Sequence, residues 1–123
     1  MQLNEIQDDR NQISLRRWRV MEVTTQDGTC TRHAWGHDAT NNQGRASSAI
    51  IEFSLDTMTA KTRSGTLYKL VGLPGNSRIG QSAWVKWCRD NGVVAELDVT
   101  GEYLDINKVS TLGFKKITRS LNQ

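Results

Sequence analysis

The stretch LPGNSRIGQSAWVKWCRDNG, Leu73 to Gly92, decides the fold. Pro74 and Gly75 suit the second and third positions of a type II turn. Asn76 or Ser77 can then cap a helix. Apolar side chains follow at helical spacing: Ile79, Ala83, Trp84, Trp87 and Cys88. Gly92 suits the left-handed conformation that ends helices. The pattern predicts one amphipathic helix over 77–91.

The rest of the chain is typical of short strands. In Ser14–Thr25, Trp18 and Val20 share one face and Met21 and Val23 the other, so a bulge near Val20 is needed to turn all four toward one core. The turn Gln26–Gly28 then closes a hairpin. Later strands are predicted over residues 29–35, 46–54, 60–63 and 66–71, with a sixth candidate over 93–99.

These elements indicate the α+β class, with an antiparallel sheet of about five strands and one main helix packed on one face. The other face is expected to be open to water. The core is predicted to include Val23, Ile51, Phe53, Leu70 and Trp84. The expected organisation is a flexible leader over 1–12, a single domain over 13–107 and a basic C-terminal tail over 108–123.

The composition excludes several classes of protein. The chain has 123 residues, of which 37% are hydrophobic and 24% charged, and its net charge is +3. No apolar run approaches the roughly 20 residues that span a bilayer. The first residues lack the pattern of a signal peptide. We therefore expect a cytoplasmic protein with no membrane partner. Cys30 and Cys88 fit no zinc or redox spacing; reduced thiols are expected, with one disulfide or a reactive thiol as alternatives.

Motifs for catalysis and metal binding are incomplete. Gln81 and Ser82 stand where a phosphate-binding loop needs Lys and Ser or Thr. No nucleophile elbow occurs, and the carboxylates are scattered. His33 and His37 share a strand face, but a zinc site needs three or four ligands. The sequence predicts no enzyme, no cofactor and no metal.

Two groups of residues remain as candidate binding sites. Arginines and a tryptophan on a sheet face can bind nucleic acid by charge and stacking. The candidate residues are Arg16, Arg17, Trp18, Arg19, Arg32, Arg63 and Lys69. Alternatively, arginine stems cover the sheet and Trp18 lies in the core. At the helix start, Gly75, Ser77 and Arg78 form a candidate anion site, against the simpler interpretation of a structural corner.

Three motifs carry a resemblance. They are ISLRRWRV from Ile13, TRSGTLYKLVG from Thr62, and the W..WC..NGV pattern from Trp84. In this order, they resemble small uncharacterised proteins of bacterial genomes and their mobile elements, over residues 13–100. The resemblance implies a bacterial accessory gene, such as a gene cassette or prophage gene, and no activity. We therefore expect a non-enzymatic protein-interaction module whose partner is an unknown protein or a second copy. The alternative is a nucleic-acid-binding protein.

Overall fold

The computed structural model describes residues 11–104 and confirms the α+β class. Its elements are β1 (Gln12–Thr25), β2 (Cys30–Asp38), β3 (Gln43–Ala46), β4 (Ile50–Ser54), β5 (Thr59–Thr62), β6 (Leu67–Val71), α1 (Arg78–Asp90), β7 (Val93–Asp98) and a 3₁₀ helix (Thr100–Tyr103). Residues 1–10 of the predicted leader and the predicted tail 108–123 lie outside the described residues. Among residues 11–104, no helix is long and apolar enough to cross a membrane.

The sheet has seven strands in place of the expected five, and it is mixed. Its order is β3-β2-β1-β6-β5-β4, and β7 also pairs with β1. One edge of β1 carries β2. The other edge is shared by β6, which runs parallel to Gln12–Arg16, and β7, which runs antiparallel to Met21–Thr25. On this edge, the first part of β1 therefore pairs with β6 and the last part pairs with β7.

The bulge in β1 lies earlier than predicted. The register with β2 shifts between Arg16 and Arg19, where Arg17 has a φ of +48°. After the bulge, alternation is regular, so Val20 and Val23 stay on opposite faces. Both are fully buried, because Val20 lies in the core that contains Tyr103 of the 3₁₀ helix and Val23 lies in the core beneath α1. The expectation of one core and one open face along β1 is therefore wrong.

Two cores result. The first contains nine buried residues: Leu15, Trp18, Val20, Ala34, Ala60, Tyr68, Leu70, Val99 and Tyr103. The 3₁₀ helix closes it, since the rings of Phe53 and Tyr103 meet edge to face with centroids 4.9 Å apart. The second core lies beneath α1 and contains Val23, Trp35 and Trp84.

The predicted core residues are confirmed except for Ile51 of β4. Val23, Leu70 and Trp84 are buried, and Phe53 is half-buried. Ile51 is 58% exposed. The register between β4 and β5 shifts after Ile50, which reverses the expected alternation and turns Ile50 toward the core.

The helix starts and ends as predicted. The Ser77 hydroxyl oxygen accepts a hydrogen bond from the Gly80 N–H at 3.1 Å, and Asn91 is the C-cap. Gly92 follows with a φ of +67°. Ile79 departs from the predicted stripe, because it is 43% exposed. The first turn of α1 instead contacts the sheet through glycines, with Gly80 against the backbone of Gly36.

Candidate functional site

The outer edge of β7 combines unpaired backbone groups with exposed apolar side chains in the described part of the chain. Within residues 11–104, β7 pairs only with β1. Val94 and Leu97 are 61% and 60% exposed, the largest exposed fractions among the large apolar side chains described. An edge strand with exposed apolar side chains is a template for pairing with another strand.

The direction of the β7 backbone follows from one hydrogen bond. The Val99 N–H donates to the Val20 carbonyl at 2.9 Å. Hydrogen-bonded and non-hydrogen-bonded pairs alternate along an antiparallel ladder. Ala95 and Leu97 therefore direct their backbone polar groups toward β1, whereas Glu96 and Asp98 direct theirs away from it. These outward groups lie in the regular part of β7, after a register shift opposite Thr24 and Thr25.

The acidic side chains of β7 already have partners within the chain. The Glu96 carboxylate accepts a hydrogen bond from the Trp84 indole N–H at 2.9 Å. The Asp98 carboxylate pairs with Arg19 at 3.4 Å and accepts the Thr100 N–H at 2.9 Å. Charged side chains often protect an edge strand from pairing. Here their hydrogen bonds hold them to the domain itself.

Within the described part of the chain, the sheet face opposite α1 is uncovered beside β7. Ala95 and Leu97 lie on this face, next to Thr24 and Glu22 of β1, and Cys30 lies across from Thr24 on β2. Ala95, Leu97 and Cys30 are all exposed. A strand added to β7 would thus find apolar neighbours on this face.

Arg32 anchors the 3₁₀ helix to the sheet. Its guanidinium pairs with Glu22 at 3.0 Å and with Glu102 at 2.9 Å. It also donates a hydrogen bond to the Tyr103 hydroxyl. The hydrogen bonds to Tyr103 and Glu102 raise the pKa of Arg32. Arg32 therefore has a structural role. Its guanidinium is already paired with side chains of this chain, which does not fit the role in nucleic-acid binding that the sequence predicted.

Trp18 is corrected from a candidate binding residue to a core residue. It is fully buried, and its indole N–H donates to the Gly72 carbonyl at 3.2 Å. The ring is therefore inaccessible to a base. Nearby, the Arg19 guanidinium donates to the Gly75 carbonyl at 3.1 Å and to the Asn76 side chain at 3.2 Å.

The remaining predicted cations are divided between several places. Arg16 and Lys69 are exposed on one face of β1 and β6, the face that turns away from Leu15 and Leu70 of the first core, and Lys61 of β5 joins them there. Arg17 lies in the bulge, against Gly75. Arg63 lies in the turn between β5 and β6. Of the predicted set, only Arg16 and Lys69 share an open sheet face.

The predicted anion site is built as a corner. The Gly75 N–H donates to the Trp18 carbonyl at 3.2 Å, and the Ser77 N–H donates to the Arg17 carbonyl at 3.4 Å. The two backbone donors are thus directed at β1. Only Arg78, which is exposed, keeps its predicted position facing solvent. The geometry favours the structural interpretation of this loop.

The two histidines differ in environment. His33 is buried, with Nδ1 at 2.9 Å from the Ser47 carbonyl and Nε2 at 2.7 Å from the Thr31 hydroxyl. Its ring centroid is 4.3 Å from that of Trp87. Burial lowers the pKa of His33. His37 is half-buried, with Nε2 at 3.1 Å from the Asn42 side-chain oxygen.

The two thiols are unpaired, and Cys88 is not arranged for nucleophilic chemistry. Cys30 and Cys88 are both free, and burial raises the pKa of the Cys88 thiol to about 11. A thiol with a raised pKa is a poor nucleophile at neutral pH. In the part of the chain that the structure describes, no three His, Cys, Asp or Glu side chains are grouped to hold a metal ion.

No family model, curated protein or solved structure matches this chain. Sequence reasoning placed a strand over residues 93–99 but named none of its residues as functional. A signal was available in VVAELD. Val94 and Leu97 are three positions apart and so lie on opposite faces of a strand, which means that one buried face cannot cover both.

Proposed function

We propose that this protein is a non-enzymatic protein-interaction module that binds an extended segment by adding a strand to β7. The observation that carries the proposal is the outer edge of β7, which pairs with no strand among residues 11–104 and lies beside the exposed Val94 and Leu97. Strand addition draws its affinity from main-chain hydrogen bonds and its specificity from alternate side chains. A cytoplasmic location in a bacterium, as the product of an accessory gene, belongs to the same proposal and rests on the resemblance of the sequence motifs.

The energies make such binding feasible. Each backbone hydrogen bond contributes about 0.5–1.5 kcal/mol net. Full burial of a leucine side chain contributes about 1.5–3 kcal/mol. Since Glu96 and Asp98 direct backbone groups outward and Leu97 is largely exposed, a short segment gains both terms at once.

Selection from a library of extended peptides tests the proposal. The target is the full chain, and the decisive comparison is Leu97→Lys with Ile51→Lys. Leu97 and Ile51 are 60% and 58% exposed, and both lie on strands at a sheet edge. Selected peptides should bind Leu97→Lys at least about tenfold more weakly, a loss of about 1.4 kcal/mol, and Ile51→Lys unchanged. A failure to enrich any peptide, or equal losses with both variants, would contradict the proposal.

Nucleic-acid binding is the second candidate, favoured by Arg16, Lys61 and Lys69 on one exposed face. Trp18 supplies no stacking there, so the attraction would be electrostatic. Contacts to phosphates weaken steeply as salt rises from about 50 to about 200 mM. Titration of labelled single-stranded DNA and RNA should show that slope, and Arg16→Ala with Lys69→Ala should reduce it. Absence of binding at the lower salt concentration would remove this candidate.

A further inference from the structure

We infer that a single-stranded nucleic acid binds across β1, β6 and β5, with its phosphates on three cations, Arg16, Lys69 and Lys61. We call these three residues the cation row. The inference rests on the second function proposed above, nucleic-acid binding, and adds the path and the kind of nucleic acid. All three residues are exposed, and none of the ion pairs within residues 11–104 involves them.

The pairing of the strands places the cation row on a straight diagonal. Lys69 lies beside Ser14, two residues before Arg16 on β1. Lys61 lies beside Leu67, two residues before Lys69 on β6. Because β1 and β6 run parallel, each step moves one strand across and two residues along in the same direction. From the ordinary spacings of a sheet, successive Cα atoms of the row are about 8 Å apart.

A line of cations fits a linear polyanion. A nucleic-acid strand carries a phosphate at every nucleotide, whatever its sequence. An extended acidic peptide presents side chains to one face only at every second residue, and each of them must be acidic. An anionic membrane needs a broad basic surface, whereas the acidic Glu52 lies directly opposite Lys61 at the border of the row.

The twist of the sheet favours a single strand over a duplex. Adjacent strands are rotated by about 20–25°, so the cations at the two ends of the row point in directions that differ by about 40–50°. A duplex is stiff over about 150 base pairs, so it meets such a surface only locally. A flexible single strand can follow all three cations.

The residues beside the row explain why the bases are not read. On this face, the positions paired with the row and with its neighbours are held by small polar or aliphatic side chains: Ser14, Thr59, Leu67 and Val71. None of these four side chains offers a ring on which a base can stack. Binding through the cation row is therefore electrostatic.

The salt dependence of binding counts the phosphates that are bound. On a single strand, each phosphate contributes about 0.7 to the slope of log affinity against log salt concentration, so three contacts give a slope of about −2. Fluorescence anisotropy with a labelled single-stranded oligonucleotide should show affinity falling about 20-fold between about 50 and 200 mM salt. Lys69→Ala should reduce the slope by about 0.7. Arg89→Ala removes the same charge from the last turn of α1 and should leave the slope unchanged.

The decisive variant moves one charge off the diagonal without changing the net charge. Thr59 lies directly opposite Lys69. Lys61→Ala combined with Thr59→Lys therefore keeps three cations on the face but removes the third from the line. We expect this double variant to bind as weakly as Lys61→Ala alone, about eightfold below the wild type at about 50 mM salt. Circular dichroism checks that each variant is folded.

Three results would overturn the inference, and each has a different meaning for nucleic-acid binding. If the double variant binds as tightly as the wild type, the row is wrong and diffuse nucleic-acid binding stands. If the same oligonucleotide binds as tightly after annealing to its complement, the preference for a single strand is wrong. If polyglutamate or vesicles containing phosphatidylserine bind through Lys69 and no nucleic acid binds at about 50 mM salt, both the inference and the second proposed function are wrong.

Discussion

Replacing Gly80 by alanine measures how closely α1 is pressed onto the sheet. A Cβ at position 80 would lie 2.7 Å from the carbonyl carbon and oxygen of Gly36 and 2.8 Å from its Cα. Optimal contacts between carbon atoms are about 3.5–4.0 Å. Position 36 belongs to β2, which is held between β1 and β3, so the obstacle is fixed backbone.

Two opposing terms decide the result. Alanine favours the helix over glycine by about 0.8–1.0 kcal/mol. Overpacking costs about 1–3 kcal/mol, and the upper half applies here because no flexible side chain can yield. We therefore expect Gly80→Ala to lower the free energy of unfolding by about 1–2 kcal/mol, despite its better helix propensity.

Urea unfolding followed by far-ultraviolet circular dichroism provides the measurement. Gly101→Ala is the control, because a Cβ there meets no atom within 4 Å. The control should change stability by less than about 0.5 kcal/mol. A Gly80→Ala variant that is more stable than the wild type by the propensity term would refute the close approach of α1 to β2.

Two further substitutions follow from the second core. Trp84→Ala should lower the free energy of unfolding by about 3–5 kcal/mol in the same assay, since Trp84 is buried; an unchanged midpoint would contradict this. Burial lowers the pKa of His33 in the folded state. The contribution of His33 to the free energy of unfolding should therefore be constant above the unfolded pKa of about 6.5, and it should fall as the pH drops from there through the folded pKa. Denaturation at several pH values should show this fall, and His33→Gln should lack it.

Local features of the sequence were sufficient to predict α1. Its capping residue, its apolar stripe and the glycine at its end all act within a few residues. The error at Ile79 has a different origin. The first turn of α1 lies so close to the sheet that only Gly80 fits between them, and Ile79 is directed outward. That approach depends on Gly36, which is distant in sequence.

The strands show the same limit more strongly. Alternation predicts the two faces of a strand, but a single bulged residue exchanges them. The register shift after Ile50 exposes Ile51, and the bulge in β1 lies at Arg17, before Trp18, and not near Val20 as predicted. Alternation of side chains alone does not give the position of either bulge. The sequence left Trp18 open between the core and a binding face, because it does not show that Trp18 shares a core with Tyr103 of the 3₁₀ helix.

The importance of β7 arises from the order of the strands. Its six residues resemble those of any short strand with charged ends. They form an edge because β6 pairs only with the first part of β1, at Gln12–Arg16, which leaves the rest of that edge to β7. The helix α1 connects β6 to β7, whose outer side has no pairing strand among residues 11–104. In most domains such a side is protected by charge. Here Glu96 and Asp98 are bound to Trp84 and Arg19, so the same contacts that complete the second core leave the edge available for a partner strand.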